Sequence, residues 1–167
     1  MIAKDASRYT IFIFIVFICT YLIRIRIPIP GEGGLIHAGN VALFAIAIVY
    51  GKKAGAISGS IGMTLFDLLS GWTNYAIGTL IIRFVCGFVV GVVAHSQNEC
   101  GKSAYRNILA MCFGVVIIVL GYYFYEIFFI YHGDYIIPIL HMPSNISQSI
   151  IGIIFAMPII KFLQKSR

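Results

Sequence analysis

Five polar or charged residues interrupt stretches of sequence that are otherwise apolar: Asn40, Asp67, Arg83, Glu126 and Gln148. An ionised side chain at the centre of a bilayer costs about 2.5 to 3.5 kcal/mol on insertion scales, so such residues face a bundle interior or a polar cavity. Their amide, carboxyl and guanidinium groups supply both donors and acceptors of hydrogen bonds. The five residues therefore predict polar side chains inside an apolar bundle, directed toward each other or toward a polar cavity.

Arg83 stands out because three apolar residues flank it on either side. It could anchor the acceptor groups of a ligand, or it could form a structural ion pair with Asp67 or Glu126. Asn40 and Asp67 likewise have two possible roles. They could bind the polar edge of a ligand, or they could hydrogen-bond each other and fix the loop that precedes Asn40.

Further candidates for the same site lie nearby in the sequence. Trp72 and Tyr75 follow Asp67, and their rings could stack on a planar ligand or anchor the protein at the membrane interface. Asn145 and Gln148 lie about one helical turn apart at the start of the last apolar stretch. There they could hold a ligand beside the free N–H groups of a helix N-terminus, or provide only caps and interhelical hydrogen bonds.

Motifs of nucleotide, metal and nucleophile chemistry do not occur in the sequence. It contains no phosphate-binding lysine motif, no histidine pair at metal spacing and no recognisable nucleophile arrangement. The four cysteines show no paired spacing of the metal or redox type. We therefore predict no catalytic residue, no metal site and no resident cofactor.

The basic residues indicate how membrane-spanning segments would place these side chains. Nine of the 12 Lys and Arg residues fall into four clusters that recur after every second apolar stretch, which is typical of cytoplasmic ends. The pattern predicts six spans with both termini in the cytoplasm. Four of the six acidic residues and three of the four histidines then lie toward the outer side. The clusters are Lys4/Arg8, Lys52/Lys53, Lys102/Arg106 and Lys161/Lys165/Arg167.

Composition supports an integral membrane protein, since 60% of the residues are hydrophobic and 11% are charged, against about 25% charged in soluble domains. The net charge of +6 is spread over four turns, which suits anionic lipid headgroups better than nucleic acid. We predict an all-α bundle of six transmembrane helices in a single domain, residues 1–167. The predicted helices are Tyr9–Ile23, Ile36–Tyr50, Ala54–Leu69, Ala76–Ala94, Tyr105–Ile130 and Ser144–Leu163.

Prolines and glycines in residues 24–35 predict an extended outer loop between the first two helices, here called loop 1. Helices 2 and 3 are shorter than a full span, which leaves an outer recess where loop 1 could fold. We expect a second outer loop at 132–143, with Ser144 and Asn145 capping helix 6. The tyrosines near the end of helix 5, Tyr131 among them, fit an interfacial belt.

Small residues one turn apart in helix 3, at Gly55 and Gly59, and in helix 4, at Gly87 and Gly91, favour close approach of helix backbones. Such faces could serve packing inside the bundle or contact with a partner subunit.

Several short motifs resemble a known family of membrane proteins. They are Ile27-Pro-Ile-Pro30, Leu35-Ile-His-Ala-Gly-Asn40, Tyr50-Gly-Lys-Lys-Ala-Gly55, Gly59-Ser-Ile-Gly62 and Asp67-Leu-Leu-Ser-Gly71. In this order and spacing they are similar to the substrate-binding membrane subunits, or S components, of energy-coupling factor (ECF) transporters. The likeness is greatest to the branch that carries hydroxymethylpyrimidine-, pyridoxine- and riboflavin-type vitamins.

The resemblance implies a protein that captures a vitamin or vitamin precursor from outside, beneath loop 1. It would pass this cargo to a transmembrane coupling subunit driven by two ATP-binding subunits. Ligand positions in the family map onto Asn40, Asp67, Trp72, Tyr75, Arg83, Glu126, Asn145 and Gln148. The family docks through small residues on helix 1, where the comparable pair here is Ala3 and Ser7. Two other classes remain open, an intramembrane enzyme and a membrane scaffold or assembly factor.

Overall fold

The computed structural model describes residues 2–165, with side chains from residue 6 onward. The side chains of Ala3 and Lys4, and the whole of Arg167, lie outside this part of the chain. Six helices carry the fold, joined by short turns and one β-hairpin. They are α1 (Ile2–Leu22), α2 (Gly39–Tyr50), α3 (Lys52–Leu69), α4 (Ala76–Ala94), α5 (Ala104–Tyr125) and α6 (Ile136–Lys165).

The six-helix bundle predicted from the sequence is confirmed. Among residues 2–165, three segments are long and apolar enough to cross a bilayer by themselves: 73–94, 104–130 and 136–165. Two shorter apolar helices, Ala6–Leu22 and Gly39–Tyr50, accompany them. Many large apolar side chains point outward from the bundle, as expected for a surface in contact with lipid. This is the surface of a membrane protein.

Backbone contact between α3 and α4 forms the tightest part of the bundle. A Cβ atom added at Gly87 would lie 2.5 Å from the carbonyl carbon and oxygen of Gly55, and one at Gly91 would lie 2.4 Å from the backbone of Lys52. Side chains larger than hydrogen therefore cannot fit between these helices without moving their backbones. The glycine pairs serve packing inside the bundle, one of the two roles expected from their spacing.

The half of the bundle next to the α2–α3 turn is filled by apolar side chains. Leu43, Phe44, Ile48, Met111 and Ile118 are all fully buried there and pack into one core. Close packing of this kind leaves little room for water or ligand.

The turns gather at two opposite ends. At one end, His95 hydrogen-bonds the Ile48 carbonyl at 2.8 Å, and Gln164 donates to the Gly101 carbonyl. Lys102, Lys161 and Lys165 surround a single hollow at this end. The described members of the basic clusters thus share one end of the bundle, and loop 1 lies at the other.

Loop 1 is more ordered than the sequence suggested, because it contains a two-stranded antiparallel hairpin. Strand β1 (Arg24–Ile27) pairs with β2 (Gly34–His37), with Arg24 opposite His37 and Ile27 opposite Gly34. The strands end where Pro28 and Pro30 remove donors and where Gly31 and Gly33 adopt positive φ of 85° and 89°. The hairpin lies over the end of the bundle and forms a lid.

The predicted start of helix 6 at Ser144 is wrong, because α6 begins eight residues earlier, at Ile136. Asp134, rather than Ser144 or Asn145, caps it, since its Oδ1 accepts the Ile136 N–H at 2.7 Å. Pro138 falls in the first turn, where no N–H is needed within the helix. The predicted loop 132–143 is therefore mostly helical, and this places His141 on a helix facing the bundle.

Candidate functional site

A cavity opens beneath the lid, between the ends of α3, α4, α5 and α6 that lie next to it. Seven of the eight predicted site residues line it: Asp67, Trp72, Tyr75, Arg83, Glu126, Asn145 and Gln148. The remaining wall includes five further polar residues that were not predicted as site residues: His37, Thr79, Tyr122, His141 and Ser144. Lid residues 33–35 close the top.

The empty space between the lining atoms, including its open mouth, is about 450 Å³. The part in which the centre of a water-sized sphere can move is much smaller, about 60 Å³. A single water needs roughly 10 to 15 Å³ on this second measure, so the closed cavity has room for only a few water molecules. The closed cavity thus suits a small ring rather than a large ligand.

Arg83 is 1% exposed and forms the floor of the cavity. Its Nη1 donates to Asn40 Oδ1 at 2.6 Å, and its Nε donates to the Tyr122 hydroxyl at 3.3 Å. No carboxylate oxygen of residues 6–165 lies within 4.0 Å of it. The structural ion pair with Asp67 or Glu126, one of the two roles considered for Arg83, is therefore wrong. Its charge is held by neutral acceptors.

Asn40 lies behind Arg83 and does not line the cavity. It is fully buried, and its Nδ2 donates to Ser149 Oγ on α6 at 3.3 Å while its Oδ1 accepts from Arg83. The hydrogen bond to Asp67, considered as an alternative, is not formed. Asn40 instead fixes the orientation of the guanidinium from below, and direct contact of Asn40 with a ligand stays a prediction.

Three buried polar atoms in the cavity wall have no hydrogen-bond partner within the described chain. They are Asp67 Oδ2, the Tyr75 hydroxyl and Gln148 Oε1. The Thr79 hydroxyl, beside Asp67, hydrogen-bonds the Tyr122 hydroxyl at 2.8 Å. The Tyr75 hydroxyl faces Glu126 and Tyr131 without hydrogen-bond geometry. Leaving a buried polar group unpaired costs about 1 to 3 kcal/mol. Such a cluster is explained if the cavity receives polar atoms from outside the chain.

Asn145 and Gln148 lie on the same face of α6, as predicted, and Gln148 Nε2 donates to Asn145 Oδ1 at 3.0 Å. His141 lies one turn before Asn145 on that face. The spacing 141, 145 and 148 is readable from the sequence as one helical stripe. His141 was missed because Pro138 and Pro143 suggested a loop.

A hydrogen-bonded chain joins the cavity wall to the lid. His141 Nδ1 lies 2.9 Å from Glu126 Oε2, and His141 Nε2 lies 2.9 Å from the Pro30 carbonyl oxygen. Both side chains are nearly inaccessible to solvent. Glu126 begins a π-helical turn, Glu126–Ile130, that ends α5. Such turns frequently mark functional sites.

Two aromatic residues also hold the lid. Trp72 packs its ring under the Arg26 guanidinium, with Cζ 4.9 Å from the ring centre, and it meets the Tyr75 ring edge-on at 5.7 Å. The Tyr131 hydroxyl accepts the Glu32 N–H at 3.0 Å. Tyr131 is therefore more than a member of an interfacial belt.

His37, at the end of β2, is buried against the cavity. Burial lowers the pKa of His37 to about 3, and the positive charge of Arg83 adds to this effect. Its Nδ1 accepts the Gly39 N–H at 3.1 Å. His37 therefore presents a neutral ring at physiological pH.

Comparison with known proteins agrees with this architecture. The sequence model of the family described as "ECF-type riboflavin transporter, S component" matches residues 2–165. An uncharacterised protein of Pyrococcus woesei is 31% identical over 98 residues, which cover 59% of this chain and 63% of that protein.

The thiamine precursor transporter HmpT of Lactococcus lactis subsp. cremoris is 32% identical over 69 residues. That match covers 41% of this chain and 42% of HmpT. The chain thus spans less than two thirds of the length of either relative. The family match, in contrast, covers nearly the whole chain and confirms the resemblance found in the sequence motifs. This chain belongs to the family of ECF-type riboflavin transporter S components.

Proposed function

We propose that the protein is the substrate-binding subunit of an ECF-type ABC importer and captures a B-vitamin or vitamin precursor. The observation that carries the proposal is the lidded cavity with three unpartnered buried polar atoms, in a chain that belongs to an S component family. A membrane scaffold has no need of such unpaired groups. In this proposal the chain binds and releases its ligand without chemical change.

The cavity suits a planar ring with polar edges. Trp72 and Tyr75 offer aromatic faces, while Asp67 and Gln148 offer free acceptors and Arg83 offers donors. The small space open to the centre of a water-sized sphere, about 60 Å³, favours a pyrimidine or pyridine ring, and a flavin requires the lid to open further. The family name and the thiamine precursor transporter place both kinds of vitamin on the panel to be tested.

The proposed partners are a transmembrane coupling subunit and two ATP-binding subunits. We place the chain in the cell membrane, with both termini and the basic end in the cytoplasm and the lid outside. The docking surface is proposed to lie on α1, near Ser7.

The proposed function predicts that gently purified protein carries its ligand. We expect mass spectrometry of the small molecules released on denaturation to identify an intact vitamin or precursor. Titration calorimetry against riboflavin, hydroxymethylpyrimidine, pyridoxine and thiamine should then show saturable binding of at least one member. Folded protein that binds no member contradicts the vitamin proposal. A chemically altered product would favour an intramembrane enzyme.

The proposed orientation predicts the labelling of a native cysteine. Cys100 is exposed in the turn between α4 and α5, at the basic end. We expect a membrane-impermeant maleimide to label Cys100 only after cells are permeabilised, and Cys100→Ser to remove that signal. His132→Cys, exposed in the turn beside the lid, should label in intact cells. The reverse pattern would overturn the orientation.

A further inference from the structure

The chain from Glu126 through His141 to Pro30 fixes a number of protons. The Pro30 carbonyl oxygen can only accept a hydrogen bond, so the contact with His141 Nε2 requires a proton on that nitrogen. The contact between His141 Nδ1 and Glu126 Oε2 requires a second proton, on either atom. The closed lid therefore holds two protons in this pair, as an imidazolium with a carboxylate or as a neutral imidazole with a carboxylic acid.

A carboxylate beside a neutral imidazole holds only one proton. If this proton lies on Nδ1, Nε2 presents a lone pair to the Pro30 carbonyl, and the bond to the lid is lost. If it lies on Nε2, two acceptors meet at 2.9 Å between Nδ1 and Glu126. Losing the second proton also leaves a net negative charge on a pair of side chains that are each no more than 3% exposed.

We propose that Glu126 and His141 together form a proton-binding site, and that one proton taken from the outer solution holds the lid closed. Capture of a ligand under the lid is then linked to uptake of that proton. The coupling goes beyond the proposed function and does not depend on which ligand is carried.

The surroundings contain other groups that could respond to pH. Around the pair lie Arg26, Glu32 and His37 of the lid, Asp67 of α3 and Arg83 of α4, together with the hydroxyls of Tyr75, Tyr122 and Tyr131. His37 is already neutral near physiological pH, because its pKa is lowered to about 3. Glu32 is bound at the surface by Asn74. Asp67 also lines the cavity and has a buried, unpaired carboxyl oxygen, so it could cause a pH-dependent transition of its own. It therefore needs its own variant.

The lone tryptophan of the chain reports on the lid. Trp72 is 9% exposed and stacked against Arg26 of β1, so lid opening uncovers it. The experiment measures acrylamide quenching of Trp72 fluorescence in ligand-free protein in nanodiscs, from about pH 5 to pH 9, which includes the range in which ordinary histidine side chains change charge. We expect shielding at low pH and stronger quenching above a single transition.

Three variants test whether Glu126 and His141 cause the pH-dependent change in quenching. Glu126→Gln can donate to a neutral His141 without an extra proton, so Trp72 should stay shielded throughout the range. His141→Phe removes the bond to Pro30 and should leave Trp72 open to quenching at every pH. The matched control His132→Asn, a change of an exposed histidine in the outer turn, should keep the wild-type transition.

A flat wild-type profile overturns the proposal. A transition that persists in Glu126→Gln also overturns it. In that case, loss of the transition in Asp67→Asn would assign it to Asp67. Because the protein is free of ligand, these results stand apart from the vitamin-binding tests. Failure of the proton site and failure of the proposed function are therefore distinguishable.

Discussion

Replacing Arg83 by Ala is expected to weaken ligand binding by roughly tenfold to more than a hundredfold. Arg83 is the buried cation of the cavity floor, and no described carboxylate neutralises it. A hydrogen bond to a charged group contributes about 1.5 to 3 kcal/mol, which converts to that range of affinity. Calorimetric titration with the vitamin identified by mass spectrometry measures the loss.

Protein stability separates binding from structure in this experiment. Removing Arg83 leaves Asn40 Oδ1 without its donor, but it leaves no buried carboxylate unpaired. We therefore expect a modest fall in melting temperature beside a large fall in affinity. Arg83→Lys keeps the charge but lacks the guanidinium geometry that bonds both Asn40 and Tyr122. Its affinity for the ligand should therefore fall between those of the wild-type protein and Arg83→Ala.

Two exposed residues provide controls for the Arg83 variant. Lys53→Ala removes an exposed basic residue at the α2–α3 turn, away from the cavity, and Tyr135→Ala removes a tyrosine that is 61% exposed. Tyr131 is unsuitable as an inert control, because it holds the lid through Glu32. A stable Arg83→Ala protein with wild-type affinity would remove Arg83 from the site.

Replacing Gly87 by Ala is expected to produce a large loss of stability for the addition of a single methyl group. The new Cβ would lie 2.5 Å from the Gly55 carbonyl group, so α3 and α4 must separate. Overpacking typically costs about 1 to 3 kcal/mol and more when backbone has to move. This exceeds the gain of about 1 kcal/mol in helix propensity from Gly to Ala.

Gly121→Ala is the matched control, since it adds the same methyl to another helix. The atoms nearest to its Cβ would be side-chain atoms of Ile82, at 3.0 Å or more, and those can shift. The melting temperatures of the two variants are compared by thermal unfolding in the same detergent, followed by light scattering or fluorescence. Equal melting temperatures for both variants would contradict a backbone contact at Gly87.

The polar residues within apolar stretches predicted most of the cavity wall, because a buried charge in a membrane protein has few other places to lie. Arg83 and Glu126 were found in this way. Their partners were not, since hydrogen-bond geometry depends on helix rotation that one sequence does not specify. Asn40 thus turned out to support Arg83 from behind.

The errors in loop 1 and at the start of α6 share a different cause. Prolines in 138–143 suggested a loop, yet a proline in the first helical turn removes no hydrogen bond, and Asp134 supplied the cap. In loop 1, β-branched Ile residues alternate with Arg24 and Arg26 and pair as a strand. Both local features depend on neighbours across the bundle, which sequence spacing alone does not identify.

The apolar core beneath Arg83 determines how permeable this chain is by itself. Leu43, Phe44, Met111 and Ile118 fill the space between the cavity and the basic end. Because close packing among these described residues leaves little room for water, a vesicle that contains only this chain is expected to hold an ion gradient. Leak-tightness in this conformation thus follows directly from the packing of the half of the bundle next to the basic end.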